Sequence, residues 1–267
     1  MAETATLVEA IRILARGPFI VSLLWSGVHA YGSSLAVLDA GDSVILAADS
    51  KQLKLAAGGG TASACKITPL PSGVVFASVG VRSAFDKASG ETTFEAHEVA
   101  AEACGATANV RDCADAFDAL VRRHYADAIL AGAFRRRAGP EPLELFTSVF
   151  AGFGDGGPQV VRMEWSALIR ESPLLAGSGT MRGRAGTLPA GEMWVLGSGI
   201  AFERRADGTP EQNKLAYARR LIEAEIKANP DEVGPPIDVL RITEAGACWA
   251  VVKPECGEGL PMCEEEP

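Results

Sequence analysis

Apolar positions along the first eighty residues fall into short runs broken by turn residues. Ser34-Leu35-Ala36-Val37-Leu38 and Ser43-Val44-Ile45-Leu46-Ala47-Ala48-Asp49 flank Asp39-Ala40-Gly41-Asp42, which predicts a β-hairpin. After the Gly58-Gly59-Gly60 loop, Cys65-Lys66-Ile67 and Val74-Val75-Phe76-Ala77-Ser78-Val79 flank Pro69, Pro71 and Gly73 and predict a second hairpin. The period then changes. Phe94, Val99, Ala100 and Ala103 predict a helix over 93–104, and Ala116, Phe117, Leu120, Val121, Tyr125 and Ile129 predict one over 112–130. Strands resume at 144–153 and 159–164 around the Asp155-Gly156-Gly157-Pro158 turn, while 172–192, rich in Gly, Pro and Ser, reads as loop. Met193-Trp194-Val195-Leu196 is a short strand ending at Gly197-Ser198-Gly199. Thr209-Pro210-Glu211 opens a helix to Ala228 with Pro in its first turn. Residues 237–242 and 248–252 form a terminal hairpin, and the polar, acidic stretch 254–267 is expected to add no core. Strands, two helices, strands, helix, strands: segregated blocks of this kind predict α+β layers in one domain without internal repeats.

The N-terminus follows another pattern. Arg12 and Arg16 precede an uncharged, mostly apolar segment from Gly17 to Ala30, the length of a signal-peptide core, and Val28-His29-Ala30 supplies a small residue before a cut. Residues 1–32 therefore read as signal peptide or propeptide. Glu3 and Glu9 make the leading region long and partly acidic, as if translation started downstream of Met1. The competing reading is an amphipathic helix on Leu7, Ile11 and Leu14 that leads into a buried strand. No run of uncharged apolar residues reaches the length of a transmembrane helix.

Composition narrows the classes. Hydrophobic residues make up 48% and charged residues 22%, enough for a sizeable core. The 25 basic residues against 34 acidic ones give a net charge of -9, which excludes a phosphate-backbone binder as the first choice. The one dense basic run, Arg135-Arg136-Arg137, is short and precedes Gly139-Pro140, so it reads as a solvated loop. Six cysteines are an even number, which permits three disulfides in an exported protein; Cys104–Cys113 and Cys256–Cys263 would close the shortest loops. Buried free cysteines in a cytosolic protein are the alternative. With no Cys-x-x-Cys pair and three scattered histidines, no zinc site is recognisable.

No Gly-x-Ser-x-Gly elbow, P-loop or His-Glu-x-x-His motif is present, and His97 and His124 fall on helices as ordinary surface or half-buried residues. What remains is a hydroxyl nucleophile that takes its base from its own main chain. An N-terminal Ser or Thr does this because its free α-amine, with an unperturbed pKa of about 7.7 to 8.0, sits beside the hydroxyl. A lysine held by an aspartate lowers that pKa further.

Gly32-Ser33-Ser34-Leu35, followed by Val44-Ile45-Leu46-Ala47-Ala48-Asp49-Ser50-Lys51, resembles the start of proteasome β-type subunits, which are N-terminal-nucleophile (Ntn) hydrolases. The resemblance puts Ser33 on the nucleophile and Asp49 on the family aspartate. Cys65-Lys66-Ile67-Thr68-Pro69-Leu70 is similar to the Lys-Ile-x-Pro segment, which puts Lys66 on the catalytic lysine and Gly80 on the oxyanion-hole glycine. Further on, 151–158 is similar to the Gly-x-Asp-x-x-Gly-Pro turn, and Gly197-Ser198-Gly199 puts Ser198 on a supporting serine. Asp231-Glu232-Val233-Gly234 stands for the family's Asp-x-x-Ser-Gly; Asp231 carries over, but the second supporting serine is missing. Ser in place of Thr at the nucleophile keeps the hydroxyl and loses the methyl that restrains χ1.

The resemblance implies a four-layer αββα sandwich over 33–253, flanked by the leader and an acidic C-terminal tail at 254–267. It implies an amide-bond hydrolase of a bacterial, exported, proteasome-like branch, periplasmic or secreted, with cytoplasmic as the alternative location. The expected substrate is a peptide or other amide, with no cofactor, metal, nucleic acid or, after leader removal, membrane. Glu95, Glu98, Glu102, Arg122, Arg123 and Asp127 charge the outer helices, so a monomer or small homo-oligomer is expected. A catalytically inactive scaffold or assembly subunit, as proteasome α-type subunits are, is the rival. Signal peptidase cutting after Ala30 leaves Tyr31-Gly32 ahead of Ser33, so a second cleavage is required to free the amine.

Overall fold

In a computed structural model of the 267-residue chain, the residues described are 33–53, 61–80, 83–85, 92–105, 107, 109–130, 143–170, 178–197 and 213–264. The chain divides into Met1–Ala30 and Tyr31–Pro267, and every described residue belongs to the second unit. The leader, the triple-glycine loop and the triple-arginine run lie outside the described residues.

Two five-stranded antiparallel sheets form the body. The first contains β1 (Ser34–Asp39), β2 (Ser43–Asp49), β12 (Met193–Gly197), β13 (Ile237–Thr243) and β14 (Gly246–Val251), in the order β12-β1-β2-β13-β14. The second contains β5 (Ile67–Pro69), β6 (Val75–Gly80), β9 (Leu143–Gly154), β10 (Gly157–Arg170) and β11 (Ser178–Thr187), in the order β11-β10-β9-β6-β5. Two small hairpins accompany them: β3 (Lys51–Leu53) with β4 (Thr61–Ser63), and β7 (Ser83–Phe85) with β8 (Thr92–Glu95). The α-helices among the described residues are α1 (Ala96–Cys104), α2 (Val110–Leu130) and α3 (Lys214–Ala228).

Period-two alternation sends the strand side chains into separate cores. Leu35 and Val37 of β1, Val44, Leu46 and Ala48 of β2, and Leu240 and Ile242 of β13 meet Val75, Ala77, Val79, Val149 and Ala151 of the second sheet. Ala36, Leu38, Ile45, Ala47 and Val239 point the other way, onto Ala218, Leu221 and Ile222 of α3. Phe76, Phe146, Phe150 and Trp165 leave the outer face of the second sheet to pack on Val99, Ala100, Phe117 and Val121 of α1 and α2. Both faces of β1 and β2 are therefore covered, which is why their sequences read as continuous apolar runs. The aromatic core is closely packed: the Phe146 and Trp165 rings stack with centroids 4.6 Å apart, and the Trp165 Nε1–H donates to Asp118 Oδ1 at 3.1 Å.

Local signals set the helix ends. Asn109 Oδ1 accepts the N–H groups of Arg111 and Asp112, and Asn213 Oδ1 accepts that of Ala216, so an asparagine caps both long helices, and the last one opens at Lys214 after an extended Asn213 and not at Thr209-Pro210-Glu211. The first helix starts at Ala96 and not at 93, because Thr92-Thr93-Phe94-Glu95 pairs as β8 against β7. Two expectations fail more completely. Ser178–Thr187, inside the stretch read as loop, is a strand paired along ten residues of β10. Its long partner supplies the ladder, so the strand forms without apolar alternation of its own. The C-terminal segment also adds to the core. Trp249 N–H donates to Pro261 O at 2.9 Å, Cys263 N–H donates to Trp249 O at 2.8 Å, and Leu260 packs against the core between the sheets.

The disulfides explain that anchoring. Cys104–Cys113 joins α1 to α2 as the short loop suggests, but Cys256 does not pair with Cys263. Cys256 reaches Cys65, and Cys263 returns to Cys248 on β14. Loop length favours the local pair, and the fold overrules it by placing Cys256 beside a partner 191 residues away and Cys263 beside one 15 residues back.

Candidate functional site

Asp49 ends β2 with its side chain fully buried. A buried carboxylate is costly unless its oxygens are filled, and four donors fill them. Oδ1 accepts the Ser34 N–H at 2.8 Å and the Lys66 ammonium. Oδ2 accepts the N–H groups of Lys51 and Gly234, each at 3.1 Å. The β1–β2 hairpin produces the first contact: its register pairs Leu35 with Ala48, so Ser34 comes next to Asp49 one step further.

Lys66 precedes β5, and its carbonyl accepts the Ser78 N–H of β6 at 3.2 Å, which anchors it to the second sheet. Its side chain is 3% exposed, against 0% for Asp49. The ion pair thus joins the second sheet to the end of β2 in the first, with the residue after Ser33 on the same carboxylate oxygen.

Ser33 lies just before β1 and is buried. Ser34 pairs with Gly197 of β12, which has φ +107°, and a Cβ at Gly197 would fall on the Ser33 carbonyl oxygen. Only glycine permits that approach. Gly80 ends β6 with φ +99°, and a Cβ there would come within 2.8 Å of Leu145 O and 2.9 Å of Phe146 Cα. The close pairing of Gly80 with Phe146 of β9 demands glycine at this position whatever the chemistry.

Of the residues singled out from the sequence, Asp49 and Lys66 touch each other, and Ser33 adjoins them through Ser34. Gly80 lies two residues beyond Ser78, the backbone partner of Lys66. Asp231 is exposed in the turn after α3, whereas Gly234, three residues on, holds Asp49. Ser198 lies outside the described residues.

Sequence reasoning quoted Gly197 and Gly234 only as neighbours of Ser198 and Asp231, and it missed a second buried pair, Asp238–Lys253, whose groups lie 3.9 Å apart. The last carried a legible signal: Asp238 shares the face of β13 that carries Leu240 and Ile242, both core residues. Burial pushes its carboxyl above the ordinary value, while the Lys253 N–H and ammonium pull it back.

His97 is half-buried between Thr68 Oγ1 on its Nδ1 and Ser78 Oγ, 3.2 Å from its Nε2, with its ring edge-on to Phe76. It ties α1 to β5 and β6. Among the described residues no three His, Cys, Asp or Glu side chains are grouped to hold a metal, and no helix is long and apolar enough to cross a membrane. No protein-family model matches the chain, and no curated protein shows significant similarity to it.

Proposed function

We propose that the protein is an Ntn-type amide-bond hydrolase, a peptidase resembling proteasome β-type subunits, and that its sheets and helices are the four-layer αββα sandwich of that class. Two face-to-face antiparallel sheets with helices on each outer face support the fold reading. The observation that carries the function is the convergence of the Ser34 N–H and the Lys66 ammonium on Asp49 Oδ1. A buried cation is thereby held beside the residue that follows the nucleophile.

Cleavage after Gly32 frees the Ser33 amine. That amine takes the hydroxyl proton as Oγ attacks the substrate carbonyl carbon, and the C=O electron pair moves onto oxygen. The Gly80 N–H stabilises the oxyanion. Collapse expels the leaving amine, which takes the proton from the α-ammonium, and leaves an ester on Oγ. Water, deprotonated by the same amine, then hydrolyses the ester. The Lys66 charge keeps the amine unprotonated near neutral pH, and Asp49 holds Lys66 in place. Ser198 and Asp231 remain supporting residues by resemblance alone.

All six cysteines are paired, which fits the periplasm or the extracellular space. The inactive-scaffold reading draws on one feature, the missing serine in Asp231-Glu232-Val233-Gly234. N-terminal sequencing of the mature protein, combined with turnover of a broad peptide library, separates the two. A free Ser33 amine and turnover that Ser33→Ala abolishes is the expected result; an intact Gly32-Ser33 bond in an inert protein overturns it.

A further inference from the structure

The Asp238–Lys253 pair takes no part in the chemistry above, yet its contacts run to both arms of the site. Asp238 pairs in register with Ala48, the residue before Asp49. Its Oδ2 accepts the Ser50 hydroxyl at 3.3 Å and its Oδ1 the Lys253 N–H at 2.9 Å. The Lys253 ammonium donates to Ala64 O at 2.7 Å and to Ser63 Oγ at 3.0 Å. Ser50 and Ala64 also meet directly, the Ala64 N–H donating to Ser50 O at 2.8 Å. One ion pair therefore grips the chain one residue after Asp49 and two residues before Lys66. The Cys65–Cys256 disulfide adds a covalent tie from the turn after Lys253 to the residue next to Lys66.

Apolar side chains of similar volume commonly stabilise a fold as well as a buried ion pair does, so stability alone is a weak reason for this one. We propose that Asp238 and Lys253 are positioning residues, which hold the Ser50 and Ala64 segments together so that the Lys66 ammonium meets Asp49 beside Ser33. The proposal rests on the hydrolase reading of Asp49 and Lys66.

The test uses Asp238→Asn, Lys253→Met and Lys253→Arg in the mature full chain, with thermal melts to establish folding. Peptide-library turnover is measured against pH, and the Lys66 side-chain NMR resonance is followed in lysine-labelled protein, assigned with Lys66→Arg. Displacing a reacting group by about 1 Å can cost about 10²-fold in rate, and a kcat loss of that order with little change in KM is expected for Asp238→Asn and Lys253→Met. The acidic limb of the rate profile should move to higher pH, because an amine further from the Lys66 charge holds its proton more tightly. The Lys66 resonance should shift, and Lys253→Arg should recover most of the rate. A folded Asp238→Asn with unchanged kcat, pH limb and Lys66 resonance overturns the proposal and leaves a purely structural staple. If wild type proves inert but Asp238→Asn still shifts Lys66, the positioning stands and the hydrolase reading falls. Should Asp238→Asn not fold, Ser50→Ala, which removes a single hydrogen bond to Asp238, is judged by the same outcomes.

Discussion

Asp49 is the residue through which the site is held, because its two oxygens collect three backbone N–H groups and one ammonium. Removing Lys66 leaves the three backbone donors in place, whereas removing Asp49 strands all four. Asp49→Ala is therefore expected to destabilise more than Lys66→Ala in urea denaturation, against about 3 to 5 kcal/mol for breaking a buried pair. In folded protein, Lys66→Ala should still lower peptide turnover by an amount comparable to general-base loss, about 10²- to 10⁴-fold. Gly197→Ala tests the approach of β12 to Ser33. With positive φ and a backbone oxygen in the way, it should cost about 1 to 3 kcal/mol or more, and a variant melting like wild type would contradict the geometry. Asp238 supplies a pH dependence. Its carboxyl is raised above the ordinary value, so between the unfolded and folded pKa the native state binds more protons, and its contribution to stability falls as pH rises. Asparagine does not titrate. The stability difference between wild type and Asp238→Asn should accordingly move in favour of wild type as pH drops from neutral into the mildly acidic range; urea midpoints that move the other way would contradict this.

At the scale of elements, the hairpins were legible because each is local: two apolar runs and a turn contain all the information their pairing needs. The helices were legible from spacing but their starts were not: Asn213 caps a last helix that begins at Lys214 and not at Thr209-Pro210-Glu211, and Asn109 lets α2 begin at Val110. Strand β11 was not, since its partner β10 supplies the ladder and its own Gly-rich sequence carries no alternation. The C-terminal segment was misjudged for a related reason. Its composition is polar, but Cys248–Cys263 and the bonds between Trp249 and 261–263 hold it beside β14. That disulfide spans 15 residues, a loop whose closure is worth about 3 kcal/mol in the chain-entropy model. Replacing both cysteines with serine should lower stability by about that amount and render residues after 253 sensitive to proteolysis. Retained protease resistance would show that Leu260 packing suffices.

At the scale of the whole molecule, the charge on the outer helices yields a prediction about assembly. Glu98, Glu102, Arg122 and Arg123 are exposed on α1 and α2, and desolvating such charges opposes a large shared interface. Light scattering of the mature protein is expected to give a monomer or small oligomer, and a particle of about a dozen or more subunits would refute it. Intact mass should show loss of the residues before Ser33 and no thiol open to alkylation without reductant. A retained Met1 with six reactive thiols would overturn the export reading.

By itself the sequence determined what depends on neighbours along the chain: hairpins, helices and apolar periodicity, with Ser33, Asp49, Lys66 and Gly80 singled out only by resemblance. It could not determine which distant groups share a carboxylate. That Gly234 and not Asp231 reaches Asp49, and that Asp238 reaches Ser50, follow from the pairing of β13 with β2, while Lys253 on Ala64 and Cys65 on Cys256 follow from bringing the C-terminal segment against the chain ahead of β5. Contacts between residues nearly two hundred positions apart leave no local trace in spacing or composition. Burial alone makes a buried carboxylate select its donors, and burial is a property of the assembled layers.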